Sequence, residues 1–136
     1  MTKTVRCHQC GMTYDATSKS DLRRHNDFHT EWCGFLKAFE LPKDFGRVLE
    51  QIELEYVMLK DIESTSKLSD EVLRTKVVRW CSLKYRLYYL LRTAEGGTKM
   101  LSKEKYCQEL LDVNRKTFGE RAYTLARSWL GVKVCA

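Results

Sequence analysis

At 136 residues the chain is sized for one domain with room for a small appendage, and a hydrophobic share of 43% is enough to build a core. One proline (Pro42) and seven glycines favour helices over a strand-and-turn protein. The net charge is +6, and it lies almost wholly in residues 69–136, where fourteen basic side chains stand against seven acidic ones. Residues 35–68 are acidic, five basic against seven acidic, so an anionic partner is expected on the C-terminal half. No apolar run reaches the roughly eighteen residues of a membrane helix, and Met1–Arg6 lacks the apolar stretch of a secretory leader. An intracellular location, cytoplasm or nucleus, is therefore expected, with no membrane partner. There the six cysteines stay reduced and read as metal ligands or core residues rather than disulfides.

The first segment carries Cys7-x2-Cys10 and His25-x3-His29. A Cys-x-x-Cys turn supplies two thiolates from one knuckle. Two histidines one helical turn apart can aim inward together, which gives the four nitrogen and sulfur donors of a tetrahedral zinc site. Zn2+ is the expected cofactor, with Cys7, Cys10, His25 and His29 as its ligands; Cys33, one turn beyond His29, is a substitute ligand to consider. On these residues the segment resembles the C2H2 zinc-finger family, with Val5, Tyr14 and Leu22 at the family's core positions. Fourteen residues separate Cys10 from His25, two more than the family's usual twelve, and the excess falls between Tyr14 and Leu22, so a longer loop is expected before the helix. The resemblance implies that Ser18, Ser20, Asp21 and Arg24 occupy the DNA-reading positions, Arg24 towards a guanine and Asp21 towards a cytosine. A lone finger also serves as a structural module or a protein contact. The run Cys10-Gly11-Met12-Thr13-Tyr14 further resembles the single finger of cohesin acetyltransferases, but no glycine-rich pyrophosphate loop follows and the body is too short and helical for that enzyme fold.

Beyond the finger, Trp32–Phe39 is apolar up to Pro42. The spacing of Phe45, Val48, Leu49, Ile52, Tyr56 and Leu59 predicts a helix from Lys43 to about Ser64, with Glu50, Glu53, Glu55 and Asp61 on its outer face. Ser69 reads as an N-cap, followed by Asp70 and Glu71 in the first turn of a central helix reaching about Thr93 and closed by Gly96-Gly97. Its inner side carries Leu73, Val77, Trp80, Leu87 and Leu91, and the Lys84–Tyr89 basic-aromatic run reads as core more than as a base-stacking surface. Ser102 opens a short helix, Lys103–Leu111; Asp112-Val113-Asn114 reads as a turn; a last helix spans Arg115 to Leu130, ended by Gly131, with Phe118, Ala122, Leu125 and Trp129 on one face.

Residues 104–123 resemble a helix-turn-helix unit, with Cys107 and Leu111 in the first helix, Val113 in the turn and Phe118 inside the second. The resemblance implies that Arg115, Lys116 and Thr117 begin a recognition helix. Gln108 and Arg121 depart from the family's small and apolar residues, and two ordinary helices meeting at a corner remain the other reading. No catalytic constellation stands out: His8 lies within the knuckle, and Cys81 and Cys107 read as core and Cys135 as a terminal residue.

The expected fold is mostly α, a small zinc finger (1–34) followed by an all-helical bundle of four or five helices (35–136). The expected function is that of a zinc-binding, non-enzymatic, nucleic-acid-binding protein, DNA more than RNA and regulatory. Arg24, Asp21, Arg115, Lys116 and Thr117 are its contact residues, with Lys103, Lys105 and Arg127 on phosphates. The alternative is an adaptor that holds a protein partner through the finger and the acidic helix.

Overall fold

The structure, a computed structural model, describes residues 3–97 and 99–135, with side chains as far as Leu130. The described residues are mostly α, as expected: two short strands, β1 (Thr4–Arg6) and β2 (Thr13–Asp15), precede seven helices. These are α1 (Lys19–Ala38), α2 (Phe45–Lys60), α3 (Ile62–Thr65), α4 (Asp70–Ala94), α5 (Lys103–Val113), α6 (Arg115–Phe118) and α7 (Glu120–Cys135). The chain forms two compact units, Met1–Gln51 with Tyr88–Thr98, and Ile52–Leu87 with Lys99–Ala136, so α2 and α4 each supply residues to both.

In the first unit β1 and β2 pair antiparallel, Val5 opposite Tyr14. Ser18 caps α1 by accepting the Asp21 N–H. The helix does not stop after the histidine pair. It continues through the apolar segment, burying Phe28, Trp32, Phe35 and Leu36 at steps of three and four along one face. Its end is a Schellman turn: the Leu41 N–H donates to Leu36 O (2.9 Å) and Glu40 N–H to Lys37 O (3.4 Å), with Glu40 at φ +53° where glycine is the usual occupant. Pro42 follows at once and forbids further helix. The Phe45 ring packs on Trp32 (centroids 5.4 Å apart), and the Phe45 N–H donates to His8 O (2.8 Å), tying the start of α2 to the knuckle.

The second unit is organised around three rings. Tyr56 stacks on Trp80 (5.0 Å), and Phe118 meets both edge-on (5.6 and 5.3 Å). Leu59, Leu73, Val77, Leu83, Leu111 and Ala126 are buried with them. Asn114 is the buried polar partner: its Oδ1 accepts the Tyr56 hydroxyl (2.8 Å) and its amide donates to Leu110 O (2.9 Å). Ser69 and Ser102 cap α4 and α5 as the sequence predicts, accepting the Val72 and Lys105 N–H groups.

Four expectations need correction. The helix expected from Lys43 to Ser64 breaks at Asp61, whose carboxylate accepts the Ser64 N–H and hydroxyl and so starts α3 afresh. Leu49 and Leu91, expected inside, are exposed. The last helix is divided at Gly119, which takes φ +91° and ψ 160°, a conformation open essentially to glycine alone. α7 then runs through Gly131 to Cys135 instead of ending there, while the Cys135 side chain lies outside the described residues.

Candidate metal centre

The knuckle between β1 and β2 is closed by two backbone bonds, Gly11 N–H to Cys7 O (2.8 Å) and Cys7 N–H to Met12 O (2.9 Å). Closing a turn that tightly requires a left-handed residue, and Gly11 supplies it at φ +74°. The loop leading to α1 holds the two extra residues of this finger. Asp15 accepts the Thr17 N–H (2.9 Å) and hydroxyl (2.7 Å), and these bonds hold its carboxyl below the usual carboxylate range. His25 and His29 follow on α1, one turn apart, and the Tyr14 ring stacks flat on His25 (4.2 Å, 7°), fixing its orientation.

The ligand atoms of Cys7, Cys10, His25 and His29 all lie within 4.8 Å of one another. The Cys7 Sγ to His29 Nδ1 distance is 3.5 Å. In a zinc tetrahedron with Zn–S of about 2.3 Å and Zn–N of about 2.0 Å, the S–N edge is about 3.5 Å. The donors are also poor partners for anything but a cation. His25 Nε2 is buried with no hydrogen-bond partner. Desolvation, with the Cys7 thiol beside it, pushes the buried Cys10 thiol up to about 11, and desolvation, followed by His29, pushes the His25 imidazole down. Two thiolates and two neutral imidazoles converging on one point call for a divalent ion to balance the charge, and one would give the orphaned His25 nitrogen a partner. Cys33 stands apart from the cluster, lining a recess with Gln9 and Leu36.

Of the residues expected at DNA, the two on the finger are engaged locally. Asp21 accepts the Asp15 N–H (2.8 Å) and pairs with Arg24 (3.5 Å), so the carboxylate holds the loop onto the helix. Ser18 is occupied as the N-cap. In the second unit, Arg115 forms a two-bond pair with Glu120 (2.7 and 3.0 Å) and lies over the Tyr123 ring (4.3 Å). Arg127 lies on the same ring (5.9 Å), and the Tyr123 hydroxyl donates to Asp112 (2.7 Å). Lys116 and Lys105 are exposed, Thr117 is half-buried, and Lys103 reaches over Trp129 (6.0 Å). The expected recognition helix is not continuous: Arg115–Phe118 is a single turn cut off by Gly119, and Val113, expected at the apolar position of a turn, instead closes α5 and is 80% exposed.

Two residues were misjudged from sequence. Arg121, a misfit in the helix-turn-helix pattern, donates to Thr65 O (3.2 Å), Leu68 O (2.6 Å) and Asp70 (2.9 Å), satisfying the last carbonyl of α3 and one in the turn that follows it. Phe45, read as an ordinary core position, is the wall against which Gly11 sits. An arginine whose partners are backbone carbonyls more than fifty residues away leaves no sequence signal.

Residues 1–31 match the family model described as the zinc-finger of acetyl-transferase ESCO. No curated protein and no solved structure matches the chain. The matched region agrees with the likeness seen in Cys10–Tyr14; the acetyltransferase named in that description belongs to the family from which the model was drawn, and the match ends before the helical body. Residues 1–31 thus match a C2H2-type zinc finger, and their Cys7, Cys10, His25 and His29 are placed to hold Zn2+.

Proposed function

We propose that the protein is a non-catalytic zinc protein that binds nucleic acid, DNA more than RNA and in a regulatory role, through phosphate contacts made by its second unit, with the finger as a structural element. The observation that carries this reading is where the charge sits. The second unit has fifteen basic side chains against ten acidic; the unit containing the finger has nine against eight. Ion pairs such as Arg79–Glu55, Arg115–Glu120 and Arg121–Asp70 consume both signs equally and leave that excess of five in place. Exposed Lys105, Lys116 and Arg127 are the contacts we assign to phosphates, with Lys103 and Thr117 beside them on α5 and α6. Base reading by Arg24 and Asp21 is not part of the proposal, because each already holds the other. Four protein donors fill a tetrahedral zinc and leave no site for substrate, which supports the non-catalytic reading.

Fluorescence anisotropy of labelled duplex and single-stranded DNA and RNA, over a range of salt, tests the proposal. Affinity should fall steeply with salt, and Lys105→Ala/Lys116→Ala should flatten the slope by roughly one unit per lost contact. Absence of binding at low salt, or an unchanged slope in the double variant, would refute it. The adaptor reading is favoured by a separate observation, an exposed apolar face in the acidic segment.

A further inference from the structure

We propose that the α2–α3 face is a docking site for a basic amphipathic helix of a partner protein. The proposal stands apart from the nucleic-acid reading and uses none of its residues.

Leu54, Val57 and Met58 share one side of α2 at steps of three and four, and they are 52%, 46% and 53% exposed; Ile62, opening α3, is 50% exposed. Single exposed apolar residues are ordinary, but a grouped set on one helix side marks a contact surface. Met58 also borders a recess of about 290 Å³ with Leu59, Thr65 and Leu68 on its walls. That volume is roughly ten waters' share of liquid, room for one bulky apolar side chain. Four positions at a helical rise span about 6 Å, so Leu54 and Met58 match anchors one turn apart on a docked helix, and Ile62 lies beyond the break at Asp61. A flexible thioether at the centre lets such a face accept more than one anchor shape.

Charge selects the occupant. Residues 53–63 hold four carboxylates (Glu53, Glu55, Asp61, Glu63) and one cation, Lys60, and Lys76 adds a second cation on the recess wall, so carboxylates still outnumber cations. Arg79 occupies Glu55, and Lys60 lies over the Tyr56 ring at 4.9 Å, which leaves Glu53, Asp61 and Glu63 exposed around the apolar side. An acidic rim repels an acidic helix and an anionic membrane surface alike, and attracts lysine and arginine flanking an apolar stripe.

The test is titration of the zinc-loaded full chain into two labelled synthetic helices with the same leucine stripe, one flanked by lysine and arginine, the other by glutamate. The basic helix should bind about tenfold or more tightly than the acidic one. Leu54→Ser/Met58→Ser should weaken it by a similar factor with the circular dichroism spectrum unchanged. Glu53→Lys/Glu63→Lys, which leaves the apolar side intact, should reverse the preference between the two helices. Equal binding of both helices, binding of neither, or indifference to both double variants overturns the proposal. So does sedimentation showing a dimer that Met58→Glu dissolves, because a second copy then occupies the face.

Discussion

Gly11→Ala is expected to be the most damaging small substitution in the finger, and the reason can be separated into two parts. Gly11 takes φ +74°, where a Cβ costs roughly 1–2 kcal/mol by itself. A Cβ built there would also meet three Phe45 ring carbons at 2.6–2.7 Å. That is far inside contact distance, and the atoms met include Cγ, near the root of the side chain, so the ring must leave its place on Trp32. Overpacking of this kind adds about 1–3 kcal/mol. The expected loss is therefore about 3 kcal/mol in the wild-type background and about 1 kcal/mol in Phe45→Ala, where only the backbone strain survives. Urea unfolding of the four proteins in excess zinc, followed by tryptophan fluorescence, gives the coupling directly, and about 2 kcal/mol stands well above the ~0.5 kcal/mol within which independent sites add. If Gly11→Ala loses the same stability in both backgrounds, Phe45 does not hold the knuckle as described.

Glu40→Gly should raise stability by about 0.5–1 kcal/mol, since Glu40 occupies the left-handed position that ends α1; a thermal midpoint that fails to rise would refute strain there. Arg121→Ala should lose about 1–2 kcal/mol by abandoning the Thr65 and Leu68 carbonyls, and Arg121→Lys should recover little of it because an ammonium cannot span the set; full rescue by lysine would mean that charge alone matters. Bonds from the Tyr123 hydroxyl and then the Gln108 amide hold the Asp112 carboxyl below its ordinary value, so its contribution is present above the unfolded-state pKa of about 4 and is lost as pH falls through the lower folded value. Wild type and Asp112→Ala should accordingly differ in urea midpoint at neutral pH and converge below about pH 4; a gap that widens in acid reverses the sign and removes the argument. Chelation of zinc should reduce far-ultraviolet helical signal reversibly, and cobalt should restore it with a tetrahedral thiolate spectrum; an octahedral spectrum would exclude the four-donor site.

Local chemistry was legible and relayed geometry was not. Cys7, Cys10, His25 and His29 could be read because zinc imposes their spacing, and the caps Ser69 and Ser102 because a capping hydroxyl acts within three residues of itself. The split at Gly119 was hidden because its φ is a property of the fold, while glycine inside an apolar pattern reads as a mere weakening of the helix. With that split the buried set of α7 is Ala122, Tyr123, Ala126 and Leu130, and Leu125 and Trp129 are only half-covered. Arg115 illustrates the same limit on function. Its place at the start of an expected recognition helix was a matter of sequence order, whereas its engagement by Glu120 and Tyr123 depends on where α7 begins after the break.

The continuity of α1 bears on what the zinc is for. A single helix carries His25 and His29 in its second and third turns, then Trp32 and Phe35, both essentially without exposure, in the turns that follow. Fixing the histidines therefore fixes the axis along which Trp32 faces Phe45, and Phe45 returns the constraint through its bond to His8 and its contact with Gly11. Metal binding and core formation in this unit are thus one coupled equilibrium, in which ion affinity is drawn on to order the hairpin, the first half of α1 and the start of α2 together. A finger built to read bases would gain from a helix whose exposed N-terminal side chains are free. Here Ser18 caps, Asp21 anchors the loop and Arg24 neutralises Asp21. Each of these choices engages a side chain within the finger instead of leaving it free, which is the pattern of a structural staple.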